Sequence, residues 1–314
     1  MNPALNVAEP GLFTTVQDLG RPSAISSGVQ AGGAMDRFAH SAANLLVGNP
    51  PALATLECTL SGPSLVAEQS CLIAITGADF DPHVNGTPAP TWTSIFLGAG
   101  DRLTFAGRRR GARAYIAVAG GVLGDRWLGS VSTNVMAGRG GKHGRPLIAG
   151  DKIEVAGEGR KPAVAGRTVP EQSRPAYNDR SLPAIAGPHL KRLNGASRSL
   201  LFQSPYAVSR AADRMGYRLE GAMLAASGEE LLSFGLVAGA VQVPHSGQPI
   251  LLMADHQTAG GYPVVATVVS AALPIAAQLV PGDELRFTQI TAGKAHKMRK
   301  ALVTALESIR GAGS

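Results

Sequence analysis

Cysteine is nearly missing from this chain: Cys58 and Cys71 are the only two in 314 residues, and they are not a Cys-x-x-Cys pair. Two buried thiols on neighbouring strands are therefore expected, rather than a disulfide framework or a zinc site. Aromatic residues make up only 5% and do not interleave with Arg108-Arg109-Arg110 or the Arg139 to Arg145 loop, the two basic runs in a chain of net charge +7 whose positive residues are otherwise scattered. Nucleic-acid binding calls for a basic face with stacking residues or a reading helix, so no nucleic-acid partner is expected. No apolar run is long enough to span a membrane and no charged, apolar, small-residue leader opens the sequence; the expectation is a cytoplasmic protein with no membrane partner.

Several catalytic signatures are missing as well. In Gly138-Arg139-Gly140-Gly141-Lys142-His143-Gly144 the lysine is followed by histidine rather than Ser or Thr, and Met136 stands where a phosphate loop needs its first glycine. There is no Gly-x-Ser-x-Gly elbow, no His-Glu-x-x-His and no His and Cys at metal-ligand spacings, so a self-contained ATPase, serine hydrolase or zinc hydrolase is not expected.

What is present is 45% hydrophobic residue content, 39 glycines and 21 prolines. This composition fits a large core of short strands joined by tight turns, in about two domains. Short apolar runs recur at Ala54 to Leu60, Cys71 to Thr76, Ser94 to Leu97, Arg102 to Phe105 and Arg113 to Val118. A Gly-Asp turn launches an alternating strand three times, at Gly100-Asp101, Gly150-Asp151 and Gly282-Asp283, which suggests a duplicated β domain. Helical spacing marks Met35 to Val47, with Asp36 in its first turn, and a basic terminal helix ending at Gly311. Ser199 to Phe202 reads as a strand. The stretch rich in Pro, Gly and charge gives the divisions: a first domain over 1–156, a linker or long loop over 157–183, a second domain over 184–290 and a helix over 291–314.

Polar residues gather in five places: Gln17, Asp18 and Arg21; Ser130, Ser132 and Thr133; Asp213, Arg214, Tyr217 and Arg218; Gln242; and Asp255-His256-Gln257-Thr258-Ala259-Gly260-Gly261-Tyr262-Pro263 after the apolar run 249–254. Arginines beside tyrosine and carboxylate suit a small anionic amide or carboxylate, because a guanidinium fork binds a carboxylate bidentately and a neighbouring Asp can hold the fork. Structural ion pairs between loops would leave the same pattern, and His256 alone reads as structural more readily than as catalytic.

Five blocks in order carry a resemblance: 12–21 (LFTTVQDLGR), 32–36 (GGAMD), 129–133 (GSVST), 213–219 (DRMGYRL) and 257–263 (QTAGGYP). Together they resemble the biotin-dependent carboxyltransferase family, which includes the C components of 5-oxoprolinases, allophanate hydrolase subunit 2 proteins, KipA and the carboxyltransferase domain of urea carboxylase. The resemblance implies a mainly β chain of two cyclophilin-like β-barrel domains in tandem, with a few short helices and a site between the barrels. It also implies the C component of an ATP-dependent 5-oxoprolinase, inactive alone, acting with a KipI-like B component and a LamB/YcsF-like A component to cleave 5-oxoproline to glutamate. ATP would enter through a partner, and this chain would bind no cofactor or metal. Biotin would matter only for carboxyl transfer to a urea-like amide, and a third implied role is a KipA-like regulator binding a KipI-like partner. On this resemblance Asp18, Asp255, Gln257 and Tyr262 are the expected catalytic residues. Arg21, Ser130, Thr133, Arg214, Tyr217, Arg218, Gln242, Thr258, Gly260 and Gly261 are expected at the substrate. Three positions depart from the family pattern: Gln30 replaces a proline, Val131 an arginine-like residue, and Ala272 an aspartate.

Overall fold

All three Gly-Asp hexapeptides fold as one and the same turn in the computed structural model, which describes residues 3–156 and 165–311. Gly100, Gly150 and Gly282 lie at φ +89°, +87° and +91°. A Cβ at any of them would meet nothing within 4 Å, so glycine is required there for backbone freedom and not for space. In each turn the aspartate carboxylate accepts the N–H three residues upstream: Gly98 to Asp101 at 2.7 Å, Ile148 to Asp151 at 2.9 Å and Val280 to Asp283 at 3.0 Å. The glycine N–H and the aspartate carbonyl then take both polar groups of one strand residue, Ala67, Val7 and Val208 respectively. The sequence repeat is a repeated hydrogen-bond pattern, present twice in the first half of the chain and once in the second.

Among the described residues the chain divides into two compact units. One holds Gly32–Pro175 together with the N-terminal stretch to Arg21 and the last helix from Val303; the other holds Pro22–Ala31 and Ala176–Leu302. The first unit contains β1 (Pro3–Glu9), β2 (Phe13–Gln17), β3 (Thr55–Thr59), β4 (Ser64–Ala67), β5 (Cys71–Asp79), β6 (Pro82–Val84), β7 (Thr87–Pro88), β8 (Ser94–Leu97), β9 (Arg102–Phe105), β10 (Arg110–Val118) and β11 (Lys152–Glu154). They form a six-stranded sheet ordered β11-β1-β4-β9-β6-β7 and a five-stranded sheet ordered β2-β3-β10-β5-β8. The core lies between them: Leu5, Leu65, Leu103 and Ile153 of one sheet meet Leu56, Ile73, Ile75 and Ile116 of the other. Helix α1 (Arg37–Leu46) covers the far face of the five-stranded sheet, where the Thr76 hydroxyl donates to the Ala39 carbonyl at 2.7 Å. With both faces covered, β5 and β10 are buried almost end to end, which is why they read as continuous apolar runs.

The second unit contains β12 (Ser181–Ala186), α2 (Gly195–Gln203), β13 (Tyr206–Val208), β14 (Gly216–Gly221), β15 (Phe234–Gly235), β16 (Ala240–Gln242), β17 (Ile250–Leu252), β18 (Ala259–Gly260), β19 (Val264–Val268), α3 (Leu273–Ala276) and β20 (Glu284–Gln289). Seven of its strands close a barrel in the order β12-β19-β16-β17-β14-β13-β20, sealed by parallel pairing of β12 with β20. The pair β15–β18 stands apart as a two-stranded ribbon. The chain is thus mainly β, as expected, with α4 (Ala292–Gly311) its longest helix. No helix among the described residues is long and apolar enough to cross a membrane.

Several local expectations change. Ser199 to Phe202 lies in α2, not in a strand, because the Asn194 side chain caps the helix by accepting from the Ser197 N–H at 2.8 Å. Helix α1 begins at Arg37, and Asp36 is its N-cap, accepting from the Ala39 N–H at 2.9 Å. Cys58 and Cys71 are buried free thiols, but their strands are not adjacent: β10 runs between β3 and β5. Burial pushes both thiols up to about 12, which leaves them unreactive. Of the expected linker 157–183, residues 157–164 lie outside the described residues, as do 312–314 of the expected terminal helix. Residues 167–169 bond to the first unit: the Ser94 N–H donates to the Arg167 carbonyl at 2.8 Å and the Val169 N–H to the Trp92 carbonyl at 2.9 Å. Arg174 lies over the Trp92 ring at 5.0 Å.

Because the three turns share one geometry, Gly150→Ala and Gly282→Ala are expected to destabilise the protein by similar amounts, about 1 kcal/mol each. Denaturant midpoints that move at unchanged slope check this; no shift in either variant would show that the turn does not demand glycine.

Candidate active site

Asp18 directly follows β2, and its buried carboxylate gathers four donors. Oδ1 accepts from the Gly20 N–H at 2.7 Å and from the Ser130 and Ser132 hydroxyls at 2.6 Å each, and Oδ2 accepts from the Val131 N–H at 2.8 Å. Burial alone would push this carboxyl up; the bonds from Ser130, Ser132, Gly20 and Val131 outweigh it and hold Asp18 below its ordinary range. Thr133 donates its N–H and its hydroxyl to the Val16 carbonyl at 2.9 and 3.0 Å. The Gln17 amide donates to the Thr15 hydroxyl at 3.0 Å and the Thr133 carbonyl at 3.3 Å. Arg21 is buried, donates to the Ser132 carbonyl, and sits 4.9 Å from the Trp127 ring centroid. Glycines stand where backbone must come close: a Cβ on Gly33 would lie 2.8 Å from the Gly20 nitrogen, and one on Gly140 would run into the Ser132 carbonyl.

This closed network alters the roles expected of its members. Asp18, Arg21, Ser130 and Thr133 are buried with these bonds made to protein atoms, so the geometry offers positioning of the 130–133 loop against β2 in place of proton transfer by Asp18 or substrate contact by the others. Val131, which lacks the arginine-like side chain of the family pattern, contributes through its backbone N–H.

In the second unit, β14 and β17 pair in register, Gly216 opposite Leu252 and Arg218 opposite Ile250. The residues just before one strand and just after the other therefore meet. Arg214 Nε donates to Asp255 Oδ2 at 2.7 Å and Nη2 to Oδ1 at 3.0 Å, while the Asp255 N–H donates to the Arg214 carbonyl at 2.8 Å. The Gln30 side-chain amide donates to the Asp255 carbonyl at 2.6 Å, a bond that a proline at this position could not make. Asp213 folds the approach to β14 by accepting from the Met215 and Gly216 N–H groups at 2.8 and 3.1 Å. The carboxylate that Arg214 grips is thus the chain's own, and the pair Arg214–Asp255 braces two strand ends.

Alternation along β14 then separates two expected substrate residues. Tyr217 is buried in the barrel wall and Arg218 points outward, exposed. Arg218 lines a cavity of about 230 Å³ with Gln242, Gln257, Tyr262 and Asp213, floored by Ile250 and Leu252. Gln242 is buried; its Oε1 accepts from Gln257 Nε2 at 3.3 Å and its Nε2 donates to the Tyr262 carbonyl at 3.4 Å. A Cβ on Gly260 would come within 3.4 Å of the Gln242 amide nitrogen, and one on Gly261 within 2.8 Å of the Leu231 carbonyl. These glycines let the 257–262 loop lie close against its neighbours. The Thr258 carbonyl accepts from the Leu236 N–H at 2.9 Å, beside the β15–β18 ribbon. His256 is buried and donates from Nδ1 to the Gln257 carbonyl at 2.7 Å, a structural role. Tyr262 also lines a larger cavity of about 590 Å³.

The structure therefore brings together Arg218, Gln242, Gln257 and Tyr262 from the expected set. It places Arg214 and Asp255 in a brace, Tyr217 in the barrel wall, and Thr258, Gly260 and Gly261 in loop-shaping positions. Sequence reasoning missed the bracing amide of Gln30, which registers only as a departure from the family pattern, and Trp127 beneath Arg21. Ala272 is fully buried immediately before α3 and supplies no side-chain cap.

A family model described as the carboxyltransferase domain, subdomain A and B, matches residues 27–289. The C component of the 5-oxoprolinase of Escherichia coli strain K12 is 37% identical over 297 residues, covering 94% of each chain, and that of Haemophilus influenzae is 35% identical with the same coverage. The crystal structure of the Kluyveromyces lactis urea amidolyase superposes with a TM-score of 0.91 at 26% identity, over 98% of this chain but only 20% of that one. The chain thus spans about a fifth of the length of that amidolyase.

Asp18→Asn is expected to cost about 2–4 kcal/mol, because the charge is lost and an amide NH2 replaces one of the two accepting oxygens, facing donors arranged for a carboxylate. The sign of the pH effect follows from its lowered folded value: Asp18 contributes stability above the ordinary carboxylate range, and this is lost as pH falls through that range towards the folded value. Thermal melts across the acid range should show a drop in the parent protein that is smaller in the variant; parallel profiles would contradict it.

Proposed function

The chain belongs to the carboxyltransferase family of subdomains A and B, and we propose that it is the C component of an ATP-dependent 5-oxoprolinase. The observation that carries this reading is the cavity that joins Arg218, Gln242, Gln257 and Tyr262, in a chain similar over 94% of its length to the C components of two 5-oxoprolinases. 5-Oxoproline offers one carboxylate, one lactam N–H and one lactam carbonyl. Arg218 is the free-standing cation for the carboxylate. Gln242 and Gln257 are coupled amides, and the Gln257 side-chain oxygen has no protein partner among the described residues, which leaves an acceptor for the lactam N–H. The Tyr262 phenol is the donor for the lactam oxygen, and Arg214–Asp255 holds the strand ends that present them.

Opening the lactam is uphill and needs ATP. This chain has no nucleotide motif, so ATP is handled by partners: a KipI-like B component and a LamB/YcsF-like A component. The balanced reaction consumes two waters, one opening the lactam C–N bond and one converting ATP to ADP and phosphate; the lactam nitrogen leaves as the ammonium of glutamate.

A second reading is favoured by the TM-score of 0.91 with urea amidolyase and by the carboxyltransferase family model. In that reading the chain passes a carboxyl group from biotin to a urea-like amide, and the paired glutamines with Arg218 suit a cyclic urea as well as a lactam. Turnover sensitive to avidin would support it. A KipA-like regulator would bind its partner with no dependence on the cavity residues.

Glutamate release from 5-oxoproline and ATP, measured with all three components and again with this chain left out, tests the assignment; undiminished turnover without it would reject the assignment. In the complete assembly Arg218→Ala is expected to raise KM for 5-oxoproline about tenfold or more with little change in kcat, as for loss of a charged hydrogen bond made in the ground state. An unchanged KM would remove Arg218 from the site.

A further inference from the structure

The 590 Å³ cavity is within the size range of small-molecule sites, and it carries charges of both signs that do not pair with one another. Arg192 lines it on one side; Glu229 and Glu230 line it on a loop with Ser227 and Gly228. The Arg192 guanidinium donates through Nη1 to the Glu229 carbonyl at 2.5 Å, a backbone contact, and no carboxylate stands within ion-pair distance of it among the described residues. A Cβ on Gly228, at φ +107°, would lie 3.1 Å from Arg192 Nη1, so the loop is seated closely on the guanidinium. Glu229 and Glu230 are exposed and Arg192 is half-buried; opposite charges lining one cavity gain most from a ligand that carries both, because each then meets its counter-charge.

The cavity shares a wall with the smaller one. Tyr262 lines both, and its ring stands edge-on to His245, with centroids 6.3 Å apart. The proposed reaction changes the ligand's charge pattern in a way that matches this arrangement. 5-Oxoproline has a carboxylate and no ammonium, whereas the product of opening the ring has an ammonium and a second carboxylate. We infer that the larger cavity is a product-side subsite for an α-amino acid zwitterion, its ammonium met by Glu229 and Glu230 and a carboxylate by Arg192, with Tyr262 as the partition between substrate and product. This rests on the 5-oxoprolinase reading.

Calorimetric titration of the full-length chain with L-glutamate, N-acetyl-L-glutamate and 5-oxoproline provides the test. L-Glutamate is expected to bind about tenfold or more tightly than N-acetyl-L-glutamate, which lacks the ammonium. The double variant Glu229→Gln, Glu230→Gln should abolish that preference, and Arg192→Gln should weaken L-glutamate while 5-oxoproline binding is retained in both. In the complete assembly the double variant should raise the inhibition constant for glutamate and leave KM for 5-oxoproline unchanged. Absence of glutamate binding in the parent protein, or glutamate binding and inhibition unaltered in the double variant at an unchanged melting temperature, would overturn the subsite. Loss of the 5-oxoprolinase reading is told apart by the assembly itself: a complex that turns over without this chain fails that reading, whereas one that needs this chain and ignores the Glu229 and Glu230 changes fails only the subsite.

Discussion

A carboxylate withdrawn from water must be met by donors, and the two polar regions of this protein are organised around that demand. Asp18 collects two hydroxyls and two backbone N–H groups, and in doing so pins the 130–133 loop to the end of β2. Asp255 is gripped by the fork of Arg214, and its backbone carbonyl is held by Gln30. Neither carboxylate is left to act on a ligand through the atoms so engaged. Asp18 fixes the backbone of its own unit, and Asp255 braces the ends of β14 and β17, next to which the less encumbered side chains Arg218 and Gln257 stand.

The same logic recurs on a smaller scale in the Gly-Asp turns, where one carboxylate oxygen satisfies a backbone N–H that the tight turn would leave without a partner. That local chemistry is why the turns were legible in the sequence. The strands were legible for a related reason: β5 and β10, covered on both faces, stand out as continuous apolar runs, and β8 and β9 are marked by their own short apolar runs. Ser199 to Phe202 was misread because four residues of small and apolar character suit a strand or a helix, and the deciding contact is a cap from Asn194.

Site residues were harder to read. The composition of 213–218 and 255–262 announced a polar cluster, but the partner of Arg214 depends on the register of β14 against β17, which no local pattern reveals. Once the register is known, Arg214 must meet Asp255, and the alternation that buries Tyr217 must turn Arg218 outward. Ser130 and Thr133 of the Gly-Ser-Val-Ser-Thr block are expected at the substrate on the family resemblance; in the structure the block is buried, with Ser130 and Ser132 bonded to Asp18 and Thr133 to Val16. Gln30 shows that a departure from a family pattern can carry structure of its own. Ala272, by contrast, is simply buried, and nothing in the structure explains why it replaces an aspartate.

The central claim is that the 230 Å³ cavity receives the lactam. Determining the structure of the full assembly, or of this chain, with 5-oxoproline bound tests it most directly. The account predicts ligand density between Arg218 and the Gln242–Gln257 pair, with the carboxylate on Arg218 and the lactam edge towards Gln257 and Tyr262. Density for 5-oxoproline elsewhere, with this cavity filled only by water, would contradict it.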